Sequence, residues 1–239
     1  MKMLKALLFD FGQTLVNSAD GFKAAEKEAQ EKLYADLDPA LVSWDRFLDE
    51  YRKCRNAFHQ KSNFSRPAIW QAVYDLFASG TDPHRLHTWE KRYWEQVKAL
   101  TTPFPETLGV LEALSRQYRL GLITNTQGQK SVGTHRIALF PELERFFEVV
   151  VVAGEKGIPP KPDPVPFRKC LEAMNLVAGE TVYVGDDWRI DICGARDMGI
   201  QPVWIQHYSV KRARGGTLRT HHHQPRRAVG PATDKKLIG

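Results

Sequence analysis

Several carboxylates stand just beyond short apolar runs of this sequence, where a β-strand would end. Asp10 follows the run Ala-Leu-Leu-Phe, and Asp186 follows Val-Tyr-Val-Gly, with Asp187 next to it and Asp191 one turn later. Acidic side chains gathered in one crevice would repel each other without a cation. Carboxylate oxygens suit Mg²⁺, which binds commonly through one or two carboxylates, water and a substrate phosphate. The pattern therefore predicts a Mg²⁺ site.

A second group of residues is of the kind that holds a phosphate. Thr124 and Asn125 end the apolar run of Leu-Ile-Thr-Asn-Thr, and Lys161 lies in Lys-Pro-Asp-Pro. A lysine pairs with phosphate as a point charge, and a hydroxyl with neighbouring backbone N–H groups would cradle the phosphate oxygens. A carboxylate such as Asp10, held in line, can attack phosphorus and form an aspartyl phosphate.

The elements that must position these residues are short buried strands alternating with helices. This alternation predicts an α/β fold, a Rossmann-like doubly wound parallel sheet. Ligands of such sheets bind beyond the carboxyl ends of the strands, so the polar residues should converge there. The predicted strands are 5–11, 119–125, 148–153, 181–185 and 201–206. The predicted helices are 106–117, 131–139, 164–174 and 190–198.

Residues 18–100 interrupt this alternation, because they contain no strand pattern. Four helical patterns, at 20–34, 40–60, 67–78 and 83–100, are bounded by Pro, Gly and Asp. They predict a helical insert after the first strand, so that residues 1–17 and 101–206 form the core. Four of the six tryptophans lie in the insert. They either pack its core or line an apolar substrate surface.

The net charge of +6 comes from residues 207–239, which hold eight Lys or Arg and one Asp. This segment is rich in polar residues, and we expect a disordered basic tail rather than a specific nucleic-acid site. No apolar run approaches the roughly 20 residues of a membrane helix. Three scattered cysteines and an N-terminus unlike a signal peptide predict a cytoplasmic protein. The oligomeric state is not predicted.

Four stretches, in this order and spacing, resemble the haloacid dehalogenase superfamily with a helical cap inserted after the first strand. They are "LLFDFGQTLVNS", "LITNT", "GEKGIPPKPDPVPF" and "VYVGDDWRIDICGARDMGI". The similarity covers nearly all of positions 4–206. It implies a Mg²⁺-dependent hydrolase, phosphatase-like, that acts on a small phosphorylated molecule through an aspartyl phosphate.

The resemblance also implies a role for each residue. Asp10 would be the nucleophile and a metal ligand, and Asp186 the second carboxylate on the metal. Asp191, with Asp187 as a further candidate, would complete the coordination or its outer shell. The remaining residues would hold the phosphoryl group: Thr124 and Lys161 as catalytic residues and Asn125 as a substrate-binding residue.

The sequence departs from the family pattern at position 12. Phosphatases of the family carry a second Asp there, which protonates the leaving oxygen and then activates water; this chain has Gly12. The metal role of the position survives, since the family uses its backbone carbonyl, but the proton-transfer role is lost. General acid–base catalysis contributes about 10²- to 10⁴-fold, so good leaving groups are favoured. Gln13 cannot replace the acid because an amide does not titrate, whereas His59 of the insert is a candidate.

Three hypotheses remain open. The first is a Mg²⁺-dependent hydrolase that is slow, uses good leaving groups or has a surrogate acid; a Gly12→Asp substitution should then improve turnover of poor leaving groups. The second is a dehalogenase, or a phosphonatase with a cap lysine such as Lys53 or Lys61. The acidic cluster counts against dehalogenation. The third is a catalytically impaired binding protein that keeps the phosphate and metal site.

Overall fold

A computed structural model describes residues 3–126 and 135–206 of the chain. Its main element is a five-stranded parallel sheet in the order β5-β4-β1-β6-β7. The five predicted strands are confirmed, with ends that differ by one or two residues at most. The strands are β1 (Ala6–Phe9), β4 (Arg119–Asn125), β5 (Val149–Ala153), β6 (Thr181–Gly185) and β7 (Gln201–Trp204).

Alternate residues of β1 enter two different hydrophobic clusters, which shows that the sheet is covered on both faces. Leu7 and Phe9 pack with residues of α5 and α6 on one face. Ala6 and Leu8 pack with residues of α7 and α8 on the other. The doubly wound α/β fold is thus confirmed. These helices are α5 (Thr107–Ser115), α6 (Pro141–Glu144), α7 (Pro164–Ala173) and α8 (Gly194–Asp197).

Two of the predicted helices have a different form. The stretch 190–198 begins as a wider π-helical turn, Trp188–Cys193, and only its second half is α-helical. In the stretch 131–139, the short 3₁₀ helix Arg136–Leu139 follows His135; residues 131–134 lie outside the described residues. Each of the two begins with a side chain that accepts a backbone N–H of the turn: Asp187 accepts from Ile190, and His135 accepts from Ile137. These contacts, which hydrophobic periodicity does not reveal, favour the shorter or wider turns.

The helical insert consists of four helices, and the starts of the last three are capped by local side chains. Ser43, Ser65 and Asp82 each accept a backbone N–H of the helix that follows, which satisfies a donor that helical pairing leaves free. A short antiparallel ribbon joins the chain where it enters and leaves the insert. The helices are α1 (Ala19–Ala35), α2 (Trp44–Gln60), α3 (Arg66–Leu76) and α4 (Pro83–Ala99), and the ribbon is β2 (Val16–Asn17) with β3 (Thr102–Pro103).

The tryptophans of the insert pack its interior. Trp70 and Trp94 are fully buried in one hydrophobic cluster, and Trp44 and Trp89 pack against its edge. None of the four lines the cavity described below. These contacts favour the packing interpretation over an apolar substrate surface.

Among the described residues, no helix is both long and apolar enough to cross a membrane. The basic segment 207–239 lies outside the described residues, so its predicted disorder stays a prediction. The cytoplasmic location is likewise a prediction that these contacts do not test.

Candidate active site

Three carboxylates predicted from the sequence meet at the carboxyl edge of the sheet. One oxygen from each of Asp10, Asp186 and Asp191 lies within 4.8 Å of the others. Asp10 follows β1 and Asp186 follows β6, and these strands are hydrogen-bonded neighbours, so parallel pairing brings the two together. Hard carboxylate oxygens in this arrangement fit Mg²⁺.

Asp191 is buried and held by backbone and side-chain donors on both oxygens. Its Oδ2 accepts the N–H groups of Asp186 (3.2 Å) and Asp187 (3.0 Å), and its Oδ1 accepts from Lys161 Nζ (2.8 Å). Gly185 makes this approach possible, because a Cβ atom there would stand 2.5 Å from the Cβ of Asp191. Asp191 therefore fixes the turn that presents Asp186.

Lys161 is the buried cation of the site. Its Nζ lies 2.8 Å from Asp10 Oδ1 and Asp191 Oδ1, and 2.7 Å from the Ile123 carbonyl and the Tyr183 hydroxyl, so four acceptors share its three N–H donors. Burial lowers the pKa of Lys161, but attraction to Asp10 and Asp191 outweighs burial and raises the pKa above its ordinary value. The amine is thus charged and orients the Asp10 carboxylate.

Burial also dominates the ionisation of Asp10. Loss of solvent raises the pKa of the Asp10 carboxyl to about 6, against the opposing attraction of Lys161. A divalent cation on Asp10 Oδ2, which accepts a long hydrogen bond from Thr14 Oγ1 (3.4 Å), would favour the charged form and return the pKa toward lower values. The site is thus arranged so that metal binding and ionisation of Asp10 support each other.

Asn125 lies beside the site, and its side chain binds the backbone of Lys161. Asn125 Oδ1 accepts the Lys161 N–H at 2.8 Å, and Nδ2 donates to the Lys161 carbonyl at 3.2 Å. Both ends of the amide are therefore used to position the lysine. The predicted contact of Asn125 with substrate remains a prediction.

Thr124 is buried at the end of β4 and contacts His135, a residue that the sequence patterns did not reveal. His135 Nδ1 accepts the Ile137 N–H (3.1 Å), and Nε2 lies 3.3 Å from Thr124 Oγ1. Burial, with Arg136 nearby, lowers the pKa of His135 to about 3, so the ring is neutral. With Nδ1 accepting, the proton lies on Nε2 and is donated to Thr124 Oγ1. The threonine hydroxyl hydrogen is then free for a phosphate oxygen.

Asp187 and Gly12 line the same cavity. Asp187 Oδ1 accepts the Ile190 N–H at 2.8 Å, and Asp187 is not among the three acids that converge. Its carboxylate therefore caps the π-helical turn. Gly12 follows Asp10 by two residues in the loop that leads to the insert.

The cavity measures about 670 Å³ and is walled by the sheet edge on one side and by α1, α2 and neighbouring residues of the insert on the other. His59, the candidate surrogate acid, is among the lining residues. Burial, with Arg66 and Arg55 nearby, lowers the pKa of His59 to about 4. The ring is therefore unprotonated at neutral pH and is a poor proton donor. Lys53 and Lys61, the candidate Schiff-base lysines, do not line the cavity.

Comparisons with a family model and with curated proteins point to the same family of hydrolases, and a comparison with solved structures points to the same fold. A family model described as haloacid dehalogenase-like hydrolase matches residues 7–205. A glyceraldehyde 3-phosphate phosphatase from Methanocaldococcus jannaschii is 30% identical over 211 residues, which cover 85% of each chain. An N-acylneuraminate-9-phosphatase from Rattus norvegicus is 25% identical over 213 residues, covering 86% of this chain and 84% of that protein. The crystal structure of a HAD phosphatase from Thermococcus onnurineus aligns with a TM-score of 0.61 and 24% identity, covering 88% of this chain and 90% of that one, a likeness of fold.

Proposed function

Because the chain belongs to the haloacid dehalogenase-like hydrolase family, we propose that it is a Mg²⁺-dependent phosphatase of small molecules that uses Asp10 as its nucleophile. The observation that carries this proposal is the contact of Lys161 Nζ with both Asp10 and Asp191, next to Asp186. This contact supports the proposal, because a carboxylate that would attack, a cation that would bind phosphate and a pair of carboxylates that would bind Mg²⁺ lie in one cavity.

The substrate class is supported by the relatives. The names glyceraldehyde 3-phosphate phosphatase and N-acylneuraminate-9-phosphatase denote proteins that act on phosphate esters of small molecules. We propose a small phosphorylated substrate for this chain as well. The cavity size is within the range of sites that enclose small ligands, about 300–1,000 Å³.

In the proposed reaction, a carboxylate oxygen of Asp10 attacks phosphorus, and the bond to the leaving oxygen breaks with its electron pair. Lys161 and the Thr124 hydroxyl would hold the phosphoryl oxygens, and water would then hydrolyse the aspartyl phosphate. Asp10, Asp186 and the Gly12 carbonyl would bind Mg²⁺, with Asp191 in the outer shell because both its oxygens already accept hydrogen bonds. Mg²⁺ would neutralise charge between Asp10 and the phosphoryl group.

The leaving group is where Gly12 limits the reaction. Gly12 has no side chain to protonate the leaving oxygen. The lowered pKa of His59, about 4, leaves its ring neutral near pH 7. Without that proton, the alcohol part of an alkyl phosphate must leave as an unstable alkoxide when the P–O bond breaks. We therefore propose faster turnover of aryl or acyl phosphates than of alkyl phosphates.

The insert is proposed to act as a cap. Residues 18–100 would cover the core formed by 1–17 and 101–206, and its helices already supply part of the cavity wall. Closure over the substrate would exclude water from the reacting groups.

Hydrolysis of p-nitrophenyl phosphate and acetyl phosphate, with and without Mg²⁺, tests the proposal. We expect Mg²⁺-dependent turnover that is abolished by Asp10→Asn. A matched control is Asp20→Asn, an exposed carboxylate in the first turn of α1. Turnover of 2-haloacids that is unchanged by EDTA would instead indicate a dehalogenase. Phosphate binding without turnover would indicate a binding protein.

A further inference from the structure

The part of the cavity wall that the insert contributes is basic. Four of its lining residues are cationic, and only Glu26 is a carboxylate; the cations are Lys23, Lys27, Arg55 and Arg66. We call this surface the insert wall. The sheet edge has the opposite charge balance, since its lining residues within 3–126 and 135–206 are four aspartates and one cation, Lys161. Lys161 already supplies a cation for the phosphoryl group at the sheet edge. The positive charge of the insert wall is therefore available to bind a different anionic group.

The charges of Glu26 and Arg66 compensate each other within the insert wall. Glu26 accepts hydrogen bonds from the hydroxyls of Tyr51 (2.9 Å) and Tyr93 (2.8 Å) and from Arg55 Nη1 (3.0 Å). Arg66 is buried, lies 3.8 Å from Glu26 and stacks over the Tyr93 ring at 5.0 Å. Burial would raise the pKa of Glu26, but Arg66 and Arg55 hold it below its ordinary value. The carboxylate is therefore ionised, saturated with donors and already compensated.

Arg66 is almost fully buried and its Nε has no hydrogen-bond partner among the described residues, whereas Arg55 is the arginine of the insert wall that is partly exposed. Arg55 Nη1 binds Glu26, whereas its Nε is buried and has no hydrogen-bond partner within the described ranges 3–126 and 135–206. About a third of its side chain is exposed. Lys23 and Lys27, on the neighbouring helix α1, add positive charge on the same wall. An anionic group in the cavity would be attracted to the exposed part of the Arg55 side chain.

Other basic residues of α2 have a different environment. Arg52 and Lys53 form exposed ion pairs with Asp49 and Glu50, and neither lines the cavity. Arg55, on the same helix, faces inward instead. Arg52 thus provides a matched arginine without cavity contact.

Resting on the proposed phosphatase function, we propose that the substrate carries a second anionic group, a carboxylate or a further phosphate, remote from the phosphoryl group that is transferred. Arg55 binds this group, with Lys23 and Lys27 contributing charge. The insert wall then selects acidic phosphate esters over neutral ones of the same size. A charge-assisted hydrogen bond to this group contributes about 1.5–3 kcal/mol, or roughly ten- to a hundredfold in selectivity.

The test compares 4-carboxyphenyl phosphate with 4-(hydroxymethyl)phenyl phosphate, which have similar shape and differ in the remote charge. The measured quantity is the ratio of their kcat/KM values, so that intrinsic reactivity cancels between variants. We expect Arg55→Gln to lower this ratio about tenfold or more, and Arg52→Gln to leave it unchanged. The pair fructose 1,6-bisphosphate and fructose 6-phosphate, measured by competition, distinguishes a second phosphate from a carboxylate.

An equal loss on both substrates in Arg55→Gln would mean that Arg55 only supports the insert through Glu26, and would overturn the proposal. The proposal would also be overturned if the ratio of kcat/KM values, acidic over neutral substrate, were no higher in the wild type than in Arg55→Gln. If circular dichroism shows that Arg55→Gln is misfolded, Lys23→Gln, at an exposed position, is the second variant, with a smaller fall in the ratio expected.

If the proposed phosphatase function is wrong, the experiment gives a different result from the failure of the anion site. In that case wild-type protein turns over none of the phosphates, p-nitrophenyl phosphate included. The two aryl phosphates would then be compared by calorimetric binding to the wild type with Mg²⁺. Tighter binding of the acidic compound, lost in Arg55→Gln, would support the anion site, and equal affinity would overturn it.

Discussion

The Nη2 atom of Arg136 lies 3.2 Å from the point at which a Cβ atom on Gly12 would stand. Arg136 is almost fully buried; its Nη1 donates to Ser18 Oγ, and its guanidinium lies over the rings of Phe11 and Phe22. Among the described residues, no carboxylate lies within ion-pair distance of it. A buried cation thus stands beside the position where phosphatases that this sequence resembles carry their second carboxylate.

This relationship changes the expected outcome of Gly12→Asp. From sequence alone the substitution should restore a general acid. In the structure, the new carboxylate would be a few ångströms from the Arg136 guanidinium, which would keep it ionised and unable to donate a proton. We expect Gly12→Asp alone to increase the hydrolysis of glycerol 2-phosphate less than tenfold.

Removing the cation should release the acid. In Gly12→Asp/Arg136→Met, we expect a further gain within the range of about 10²- to 10⁴-fold that general acid–base catalysis contributes. Arg136→Met alone is the control, and p-nitrophenyl phosphate is the substrate that should respond least. A full gain in the single Gly12→Asp variant would show that Arg136 does not suppress the acid.

Lys161→Met tests the buried cation of the site. The substitution leaves Asp10 and Asp191 buried without their partner, and loss of one member of a buried ion pair costs about 3–5 kcal/mol. We expect that fall in the free energy of unfolding, measured with urea in the absence of Mg²⁺, together with loss of turnover. Lys169→Met, at an exposed position of α7, is the matched control and should unfold like the wild type. Wild-type stability in Lys161→Met would contradict the contacts described.

His135 should give the folded protein a characteristic pH dependence. Its pKa is about 3 when folded, against 6.5 in the unfolded chain. The unfolded state therefore binds more protons between these values, so the neutral ring's contribution is complete above pH 6.5 and is lost as the pH falls toward 3. The slope from one such group is at most about 1.4 kcal/mol per pH unit.

His135→Gln should remove this slope. The measurement is the unfolding free energy of both proteins from pH 7.5 to pH 4.5, taken as the difference between them so that other groups cancel. The difference should shrink as the pH falls. A difference that is constant across the range would show that His135 is not held neutral.

The converging acids could be predicted from the sequence because their positions follow from strand ends. Asp10 and Asp186 each follow a short apolar run, and parallel pairing of β1 with β6 then brings them together. Lys161 is predicted only from its motif, because seven residues lie between it and the end of β5 and strand geometry does not position it.

His135 and Arg136 could not be predicted because they precede and begin a short 3₁₀ helix that has no hydrophobic periodicity. The basic stretch of α2 was ambiguous for a related reason: Arg52 and Arg55 are both arginines of one helix, and only the packing of α1 against α2 decides which faces the cavity. The role of Asn125 could not be predicted from the sequence either, because its amide binds the backbone of Lys161, 36 residues away.

The most direct measurement of the central claim is the intact mass of the protein after rapid acid quenching with acetyl phosphate and Mg²⁺. We predict an added phosphoryl group of about 80 Da, mapped to the peptide that contains Asp10, and absent in Asp10→Asn and after EDTA treatment. Turnover with no phosphorylated protein at any quench time, or a phosphoryl group that persists in Asp10→Asn, would contradict the account.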